Sequence, residues 1–566
     1  MAVQELTKSI VTKFQDLKKK LLERSFSKMN ENQRKAVFAV NGPVVVLAGA
    51  GSGKTTAIVN RIVNMINYGD AYTTEEVPEF LDESIVESLE NAYKNGEGAE
   101  SVKNIIRHNP IRPWNILAIT FTNKAAGELK NRLSNVLGDI GKDVYASTFH
   151  SLCSRILRAH AEKLGYSNHF VVYDDDDSKR LIKECIKTLN LDDKIVSYKN
   201  VRNEISGAKD KLINFQEFRR KSAGDYRLAA IAEIYELYQK KLIESDAMDF
   251  DDLIMNTVIL FKNNPAVLES YQEKFKYILV DEYQDTNYTQ YVLIRDLAKK
   301  YSNLCVVGDD DQSIYKFRGA TIENILDFER HFPGAKTIRL EQNYRSTQNI
   351  INAANSVIKH NHNRKEKTLW TDNEQGEKIK VHTAYSEHDE ANYISEAIQD
   401  LVARGSKYSD IAVLYRMNSQ SNVMEKVFIK SGIPYRILGG FRFYERKEIR
   451  DMIAYFSVIN NPKDEVRLKR IINQPRRSIG ERTITQATEI ANETGKDLLD
   501  VIRNSGEYEQ LQRVSSKLKA FSDLIDELVN ISKDPSVALH ELYDIMLEKT
   551  GYIDYLKTDK DAGESR

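Results

Sequence analysis

Two short segments of this 566-residue chain combine residue types and spacings that could do chemistry: Ala48-Gly-Ala-Gly-Ser-Gly-Lys-Thr55 and Asp281-Glu282. In the first, glycines let successive backbone N–H groups curl around phosphate oxygens, and a helix expected from Thr56 to Ile66 would add its N-terminal dipole. Lys54 suits the β/γ-phosphates, and the Thr55 hydroxyl suits a magnesium ion. Gly49, Ala50, Gly51, Ser52, Gly53, Lys54, Thr55 and Thr56 are therefore the candidate nucleotide contacts. The strict P-loop spacing wants Gly where this chain has Ala48. In the second segment, two carboxylates follow an apolar run, an arrangement that is costly unless they meet a cation or a proton. Asp281 suits outer-sphere coordination of Mg²⁺, and Glu282 suits polarising an attacking water. These features predict hydrolysis of a nucleoside triphosphate. They do not say what the energy drives.

The elements that must position these groups are legible as apolar runs. Pro43–Ala48, Asn115–Thr120, Tyr277–Val280 and Leu304–Val307 each end in a polar cluster. Short unbroken apolar strands alternating with helical pattern predict a parallel sheet covered on both faces. Ligands bind beyond the carboxyl ends of such strands, so the four polar clusters should converge. A second α/β stretch is expected from about Lys336, with strands at Thr337–Leu340, Ile379–Val381 and Ile411–Leu414. The region from about Gly69 to Pro110 is rich in Glu and Asp and reads as a solvated helical excursion. Ile10, Val11, Phe14, Leu17, Leu21 and Leu22 recur at helical spacing, which predicts an amphipathic leader helix packed on the body. The Asp174–Asp177 run is expected to be a turn capping the next helix.

Composition excludes several classes. Hydrophobic residues make up 41% and charged residues 29%, which is a folded, soluble composition. Lys+Arg is 82 and Asp+Glu is 83, so the net charge is 82 − 83 = −1 and a globally basic nucleic-acid coat is excluded. Any polyanion must be held by local patches. Three cysteines, Cys153, Cys185 and Cys305, are too few and scattered for a disulfide framework or a zinc cage. No apolar run reaches the roughly 18 residues a membrane span needs.

The motifs, taken in order, resemble the UvrD/Rep/PcrA group of superfamily 1 DNA helicases. Asn30-Glu-Asn-Gln33 is similar to the adenine-reading Q motif, and Ala48–Thr55 to that group's own P-loop. Thr120–Ala126 and Ser147–His150 resemble its strand-gripping motifs. Ala247–Asp252 resembles the return from an inserted helical subdomain, and Val280–Thr286 the Walker B box. Val307–Tyr315 and Leu340–Thr347 complete the set. The likeness runs from about Met29 to the last residue.

The resemblance implies ATP and Mg²⁺ as cofactors and a 3′→5′ single-strand DNA translocase or helicase in repair or replication. Catalytic work would fall to Lys54, Asp281, Glu282, Gln312 and Arg345. Gln312 would sense the γ-phosphate, and Arg345 would act as an arginine finger. Gln33 would hydrogen-bond the adenine and Tyr344 would stack on it, while Thr55 and Asp281 would serve the metal. Phe121, Asn123, His150, Tyr315, Phe317 and Arg318 would meet DNA. Expected partners are single-stranded DNA and single/double-strand junctions, bound by a monomer in the bacterial cytoplasm.

The implied fold class is α/β, with two RecA-like P-loop cores carrying inserted helical subdomains. The expected division is a leader helix (1–28), a first core (29–160 and 246–333, with the acidic insertion at about 70–110), an inserted helical subdomain (161–245), the start of a second core (334–444) and a helical insertion (445–566). Thr56 stands where the group carries Arg, Phe317 where Trp is common, and Ser478 where a Gly-Ile-Gly segment begins. Two further motifs of the group are not found before Arg566, so a truncated second core and weak hydrolysis are expected. The alternative reading is a nucleotide-gated DNA-binding fragment without productive turnover.

Overall fold

The computed structural model describes residues 2–95, 99–192, 196–362, 364–438 and 446–557. The chain forms two compact units, Met1–Gly376 and Glu377–Arg566. It is a mixed α/β protein with a parallel sheet at its core.

The first unit is built on strands β1 (Val44–Ala48), β2 (Ile116–Thr120), β3 (Tyr145–Thr148), β4 (Val171–Val172), β5 (Ala247–Met248), β6 (Tyr277–Val280), β7 (Leu304–Gly308) and β8 (Lys336–Leu340). Six of them form one sheet in the order β3-β2-β6-β7-β1-β8, and all of its pairings are parallel. Side chains alternate across the sheet because the strand period is two. Val44, Val46, Ala118, Leu279 and Val307 join one core cluster, with Ile58 and Ile62. Val45, Leu47, Ile119, Val280 and Val306 join the other, with Ile156 and Leu260. Each such valine, leucine or isoleucine contributes about 1.5–3 kcal/mol when fully buried, so strands flanked on both faces have no reason to carry polar residues until they end.

Helices α1 (Ala2–Ser25), α2 (Glu31–Phe38), α3 (Lys54–Asn67), α4 (Glu83–Asn95) and α5 (Ala99–Ile106) belong to the first face. The leader packs through Phe14, Leu17 and Leu22. It also clamps the acidic excursion: the Gln15 amide donates to the Glu75 carbonyl at 2.7 Å, Lys18 Nζ to the Thr74 carbonyl at 2.9 Å, and Arg24 to the Tyr93 carbonyl. The excursion is thus held by the body rather than free in solvent. Helix α6 (Asn123–Leu137) follows β2, and α7 (Phe149–His160) follows β3.

Between β4 and β5, which pair with each other, lie the helices Asp175–Thr188, Tyr198–Lys209, Phe215–Lys221 and Tyr226–Glu244. Asp174 caps the first of them, its side chain accepting from the Asp176 and Asp177 N–H groups, as expected. Buried Lys209 anchors the return, 2.7 Å from Asp249 and 2.8 Å from Asp252.

Two expectations are corrected. Thr337–Leu340, expected as the first strand of a second α/β stretch, is part of β8 and pairs with β1 along Val44–Ala48. The reason is that β1, with β7 on one side, would otherwise expose an unpaired edge of wholly buried apolar residues. The expected strands Ile379–Val381 and Ile411–Leu414 are not strands, and among the described residues none follows Leu340. Val381 is 89% and Leu414 92% exposed; an apolar run becomes a strand only when a neighbour takes its hydrogen bonds. β3, conversely, was not expected as a strand.

In the second unit, helices Glu387–Ala403 and Ser421–Lys430 pack through Ala391, Ile398, Met424 and Phe428. Helices from Lys447 to Lys557 enclose a separate core around Tyr455, Leu468, Leu518 and Ile525. The expected boundary at 444/445 and the last residues, 561–566, fall outside the described residues.

Candidate functional site

Each strand of the sheet delivers its functional residues at the same edge, because all six run in one direction. From β1 comes the P-loop. Gly51 and Gly53 have φ of +65° and +84°, left-handed values that glycine adopts without a Cβ penalty. Gly53 precedes α3 without a side-chain cap, which leaves the first helical N–H groups for an anion. The Ser52 hydroxyl turns inward to the Gly49 carbonyl at 2.8 Å. Gln33, expected to read adenine, is buried and braces the loop: its Nε2 donates to the Ser52 carbonyl at 2.9 Å, and its Oε1 accepts from the Asn30 N–H at 3.1 Å.

From β6 come the carboxylates. Lys54 Nζ lies 3.3 Å from Glu282 Oε2, so the loop and the acidic tip meet as expected. Glu282 has φ of +51°, a conformation that costs a non-glycine residue about 1–2 kcal/mol and is held by its surroundings. Gln284 is one of them, donating from Nε2 to Glu282 Oε2 at 2.8 Å. Burial, and then the Glu282 charge, push Asp281 up to about 6. The same two causes raise Asp285 to about 6. Such carboxyls favour a proton or a cation as partner, which fits a metal-serving role for Asp281.

From β8 comes the arginine segment. The Tyr344 N–H donates to the Gly51 carbonyl at 3.0 Å, and Asn343 Nδ2 to the Ala50 carbonyl at 2.6 Å. Asn343 Oδ1 accepts from the Arg345 and Ser346 N–H groups, both at 2.8 Å. A Cβ on Gly51 would lie 2.9 Å from Arg345 Cβ, so Arg345 is rooted beside the phosphate loop and its side chain is exposed. The Tyr344 ring is 48% exposed. Its hydroxyl donates to Gln342 Oε1 and accepts from Asn30 Nδ2, both at 2.8 Å. Thr56 is exposed and supplies no ring or guanidinium opposite Tyr344.

From β7 comes Asp309-Asp310-Asp311-Gln312. Gln284 Oε1 accepts from the Asp309 N–H at 2.9 Å, so one amide touches both the Glu282 carboxylate and the base of this loop. Gly308 is required there, since a Cβ would lie 2.6 Å from that oxygen. Gln312 Nε2 donates to Asp309 Oδ2 at 2.6 Å.

The nucleic-acid candidates occupy the same edge. Tyr315 and Phe317 stand 6.0 Å apart with their planes at 30°, and Arg318 lies 5.5 and 5.6 Å from their two centroids. Phe317 is 77% exposed. This cluster is a presented surface, not core. Phe121 and His150 differ. Phe121 is half-buried and meets Phe149 edge-on at 6.1 Å. His150 meets Phe250 at 5.5 Å, and burial lowers its pKa, which favours the neutral imidazole. Asn123 is exposed at the first turn of α6, which Thr122 caps.

Gln284 and Asn343 escaped the sequence reading. Gln284 had a signal, standing two residues beyond Glu282 on the same tight turn. Asn343 had one in its place beside Tyr344. In the second unit Ser478, which stands where the Gly-Ile-Gly segment begins, has a positive φ of +58°.

No helix among the described residues is long and apolar enough to cross a membrane. Comparison with known proteins matches residues 29–77 and 99–333 to the UvrD/REP helicase N-terminal domain. Residues 338–550 match the UvrD-like helicase C-terminal domain. The skipped stretch, 78–98, contains α4 of the acidic excursion. The C-terminal match runs to residue 550, so the expected truncation is not supported. The chain is 42% identical over 538 residues to the ATP-dependent DNA helicase PcrA of Staphylococcus epidermidis, covering 95% of this chain and 68% of that protein. It is 41% identical to the protein of the same name from Staphylococcus aureus, covering 94% and 67%. With two family models matched along most of its length and relatives above 40% identity, this chain belongs to the UvrD-like helicase family.

Proposed function

We propose that the protein hydrolyses ATP and uses the energy to move along single-stranded DNA and open duplexes at single/double-strand junctions, 3′→5′, as a monomer, in repair or replication. The observation that carries this reading is the meeting of three strand ends on one loop: Lys54 against Glu282, and the Tyr344–Arg345 backbone against Gly51. Such a loop suits a triphosphate, and the name borne by the relatives supplies the adenine and the DNA.

In this reading the P-loop amides and Lys54 bind the phosphates, and the ion pair with Glu282 opens to let Lys54 do so. Thr55 and Asp281 would hold Mg²⁺, which supplies charge neutralisation on the phosphate oxygens. Glu282 takes the proton of the attacking water, with Gln284 fixing the carboxylate's orientation. Arg345 meets the charge that develops on the γ-phosphate, and Tyr344 presents a ring for the adenine. Tyr315 and Phe317 stack bases while Arg318 meets the backbone, a recognition tolerant of sequence.

The test is ATP turnover with and without single-stranded DNA in the unaltered chain and in Glu282→Gln. Loss of a positioned general base lowers rate by about 10²–10⁴-fold, with nucleotide binding retained. Turnover equal to that of the unaltered chain would remove Glu282 from the mechanism.

A further inference from the structure

Three consecutive carboxylates at the end of β7 converge on one ammonium. Lys367 Nζ lies 2.7 Å from Asp309, 2.5 Å from Asp310 and 2.9 Å from Asp311. Lys367, Asp309 and Asp310 are buried. An ammonium has three N–H donors, and here each has one carboxylate. The knot is fixed from outside as well. Arg364 takes both oxygens of Asp311 at 2.7 Å and donates to the Lys367 carbonyl at 3.2 Å. The Lys365 N–H donates to Asp310 Oδ2 at 2.8 Å.

Asp309 leads from this knot back to the phosphate site. Asp309 Oδ1 faces Lys367, and Asp309 Oδ2 accepts from Gln312. The Asp309 backbone N–H is held by Gln284, which also holds Glu282. The orientation of the Asp309 carboxylate therefore sets where the Gln312 amide can stand. Asp309 Oδ1 also accepts from the Asp311 N–H at 3.2 Å, but without the cation three adjacent carboxylates repel one another, and that bond alone must hold Asp309 against its neighbours.

We propose that Lys367 is a positioning residue for hydrolysis: it fixes Asp309, and through Asp309 it holds Gln312 where the γ-phosphate is to be sensed. The inference rests on the hydrolase reading above.

The experiment is a double-substitution cycle on the full chain, measuring ATP turnover at saturating single-stranded DNA. Lys367→Met is expected to lower kcat by about tenfold or more, with KM for ATP within about threefold of the parent. In a Gln312→Ala background the same substitution should change kcat by less than about twofold, because the side chain it acts through is gone. A knot that merely stabilised the fold would give equal losses in both backgrounds, and that result overturns the proposal. So does an unchanged kcat, or a loss confined to KM. Should Lys367→Met fail to fold by circular dichroism, Lys367→Arg carries the same cycle. It keeps the charge, but its planar fork cannot serve three carboxylates as a tripod does; an intermediate loss that vanishes in the Gln312→Ala background is expected. Absence of DNA-stimulated turnover in the unaltered chain would refute the hydrolase reading itself, and this inference with it, before any variant is compared.

Discussion

At the scale of single residues, the site depends on positions where one atom more is too many. Gly51 is the clearest. Its φ of +65° disfavours any side chain, and a Cβ there would come within 2.5 Å of Asn343 Nδ2 and 2.9 Å of Arg345 Cβ. The left-handed backbone alone costs an L-residue about 1–2 kcal/mol, and the contact adds to it because Asn343 is pinned by the Ala50 carbonyl. Gly49 is less demanding: its nearest neighbour is Leu369 Cδ2, the end of a flexible side chain, and no positive φ is involved. Gly51→Ala should therefore lower ATP turnover by about tenfold or more, the equivalent of about 1.4 kcal/mol. Gly49→Ala should lower it less. Steady-state hydrolysis of the two variants side by side decides this, and a reversed order would show that the contact with the arginine segment does not matter.

At the scale of elements, the helical insertion is tied to the sheet through a half-buried carboxyl. Asp210, just past the helix Tyr198–Lys209, accepts from Asn287 Nδ2 at 2.5 Å, and its carbonyl accepts from the Thr289 N–H. A Cβ on Gly319, next to Arg318, would meet its carboxylate at 2.1 Å. Burial first, and the Asp251 charge second, push Asp210 from 3.8 up to about 7. A carboxyl raised on folding contributes stability that is full below about pH 4 and is lost as pH rises through about 7. The difference converts to an upper bound of about 4 kcal/mol. Asp210→Asn should thus gain stability relative to the parent at pH 8 and not at pH 4, read as denaturation midpoints at the two values. An equal change at both would mean that the carboxyl does not titrate in this range.

This joint also shows what the sequence could and could not reveal. Strands β1, β2, β6 and β7 were readable because burial on both faces forces unbroken apolar runs, and the polar residues that end them are the site. β8, Lys-Thr-Ile-Arg-Leu, is read as a strand in either core; only the open edge of β1 decides which. Asp210 and Lys367 are ordinary charged letters whose burial comes from segments distant in sequence, Asn287 and Gly319 for one and Asp309 for the other. Pattern within a window cannot show that.

At the scale of the whole molecule, a net charge of −1 leaves no general field to attract a polyanion. In the proposed reading, the presented cluster of Tyr315, Phe317 and Arg318 is a source of affinity for DNA, and stacking and charge make different demands on salt. Base–aromatic stacking is worth about 1–3 kcal/mol per base and releases no counterions. Each neutralised phosphate of a single strand contributes about −0.7 to the slope of log K against log salt. Phe317→Ala should therefore weaken single-strand binding by about 1–3 kcal/mol and leave the salt slope unchanged. Arg318→Gln should make the slope shallower by about 0.7. It should also lose about 0.5–1 kcal/mol, because the guanidinium lies over both rings. Fluorescence anisotropy of a labelled homopyrimidine strand across a salt series separates the two contributions. If both substitutions shift the slope alike, the rings and the guanidinium do not act as a stacking platform with a phosphate contact beside it.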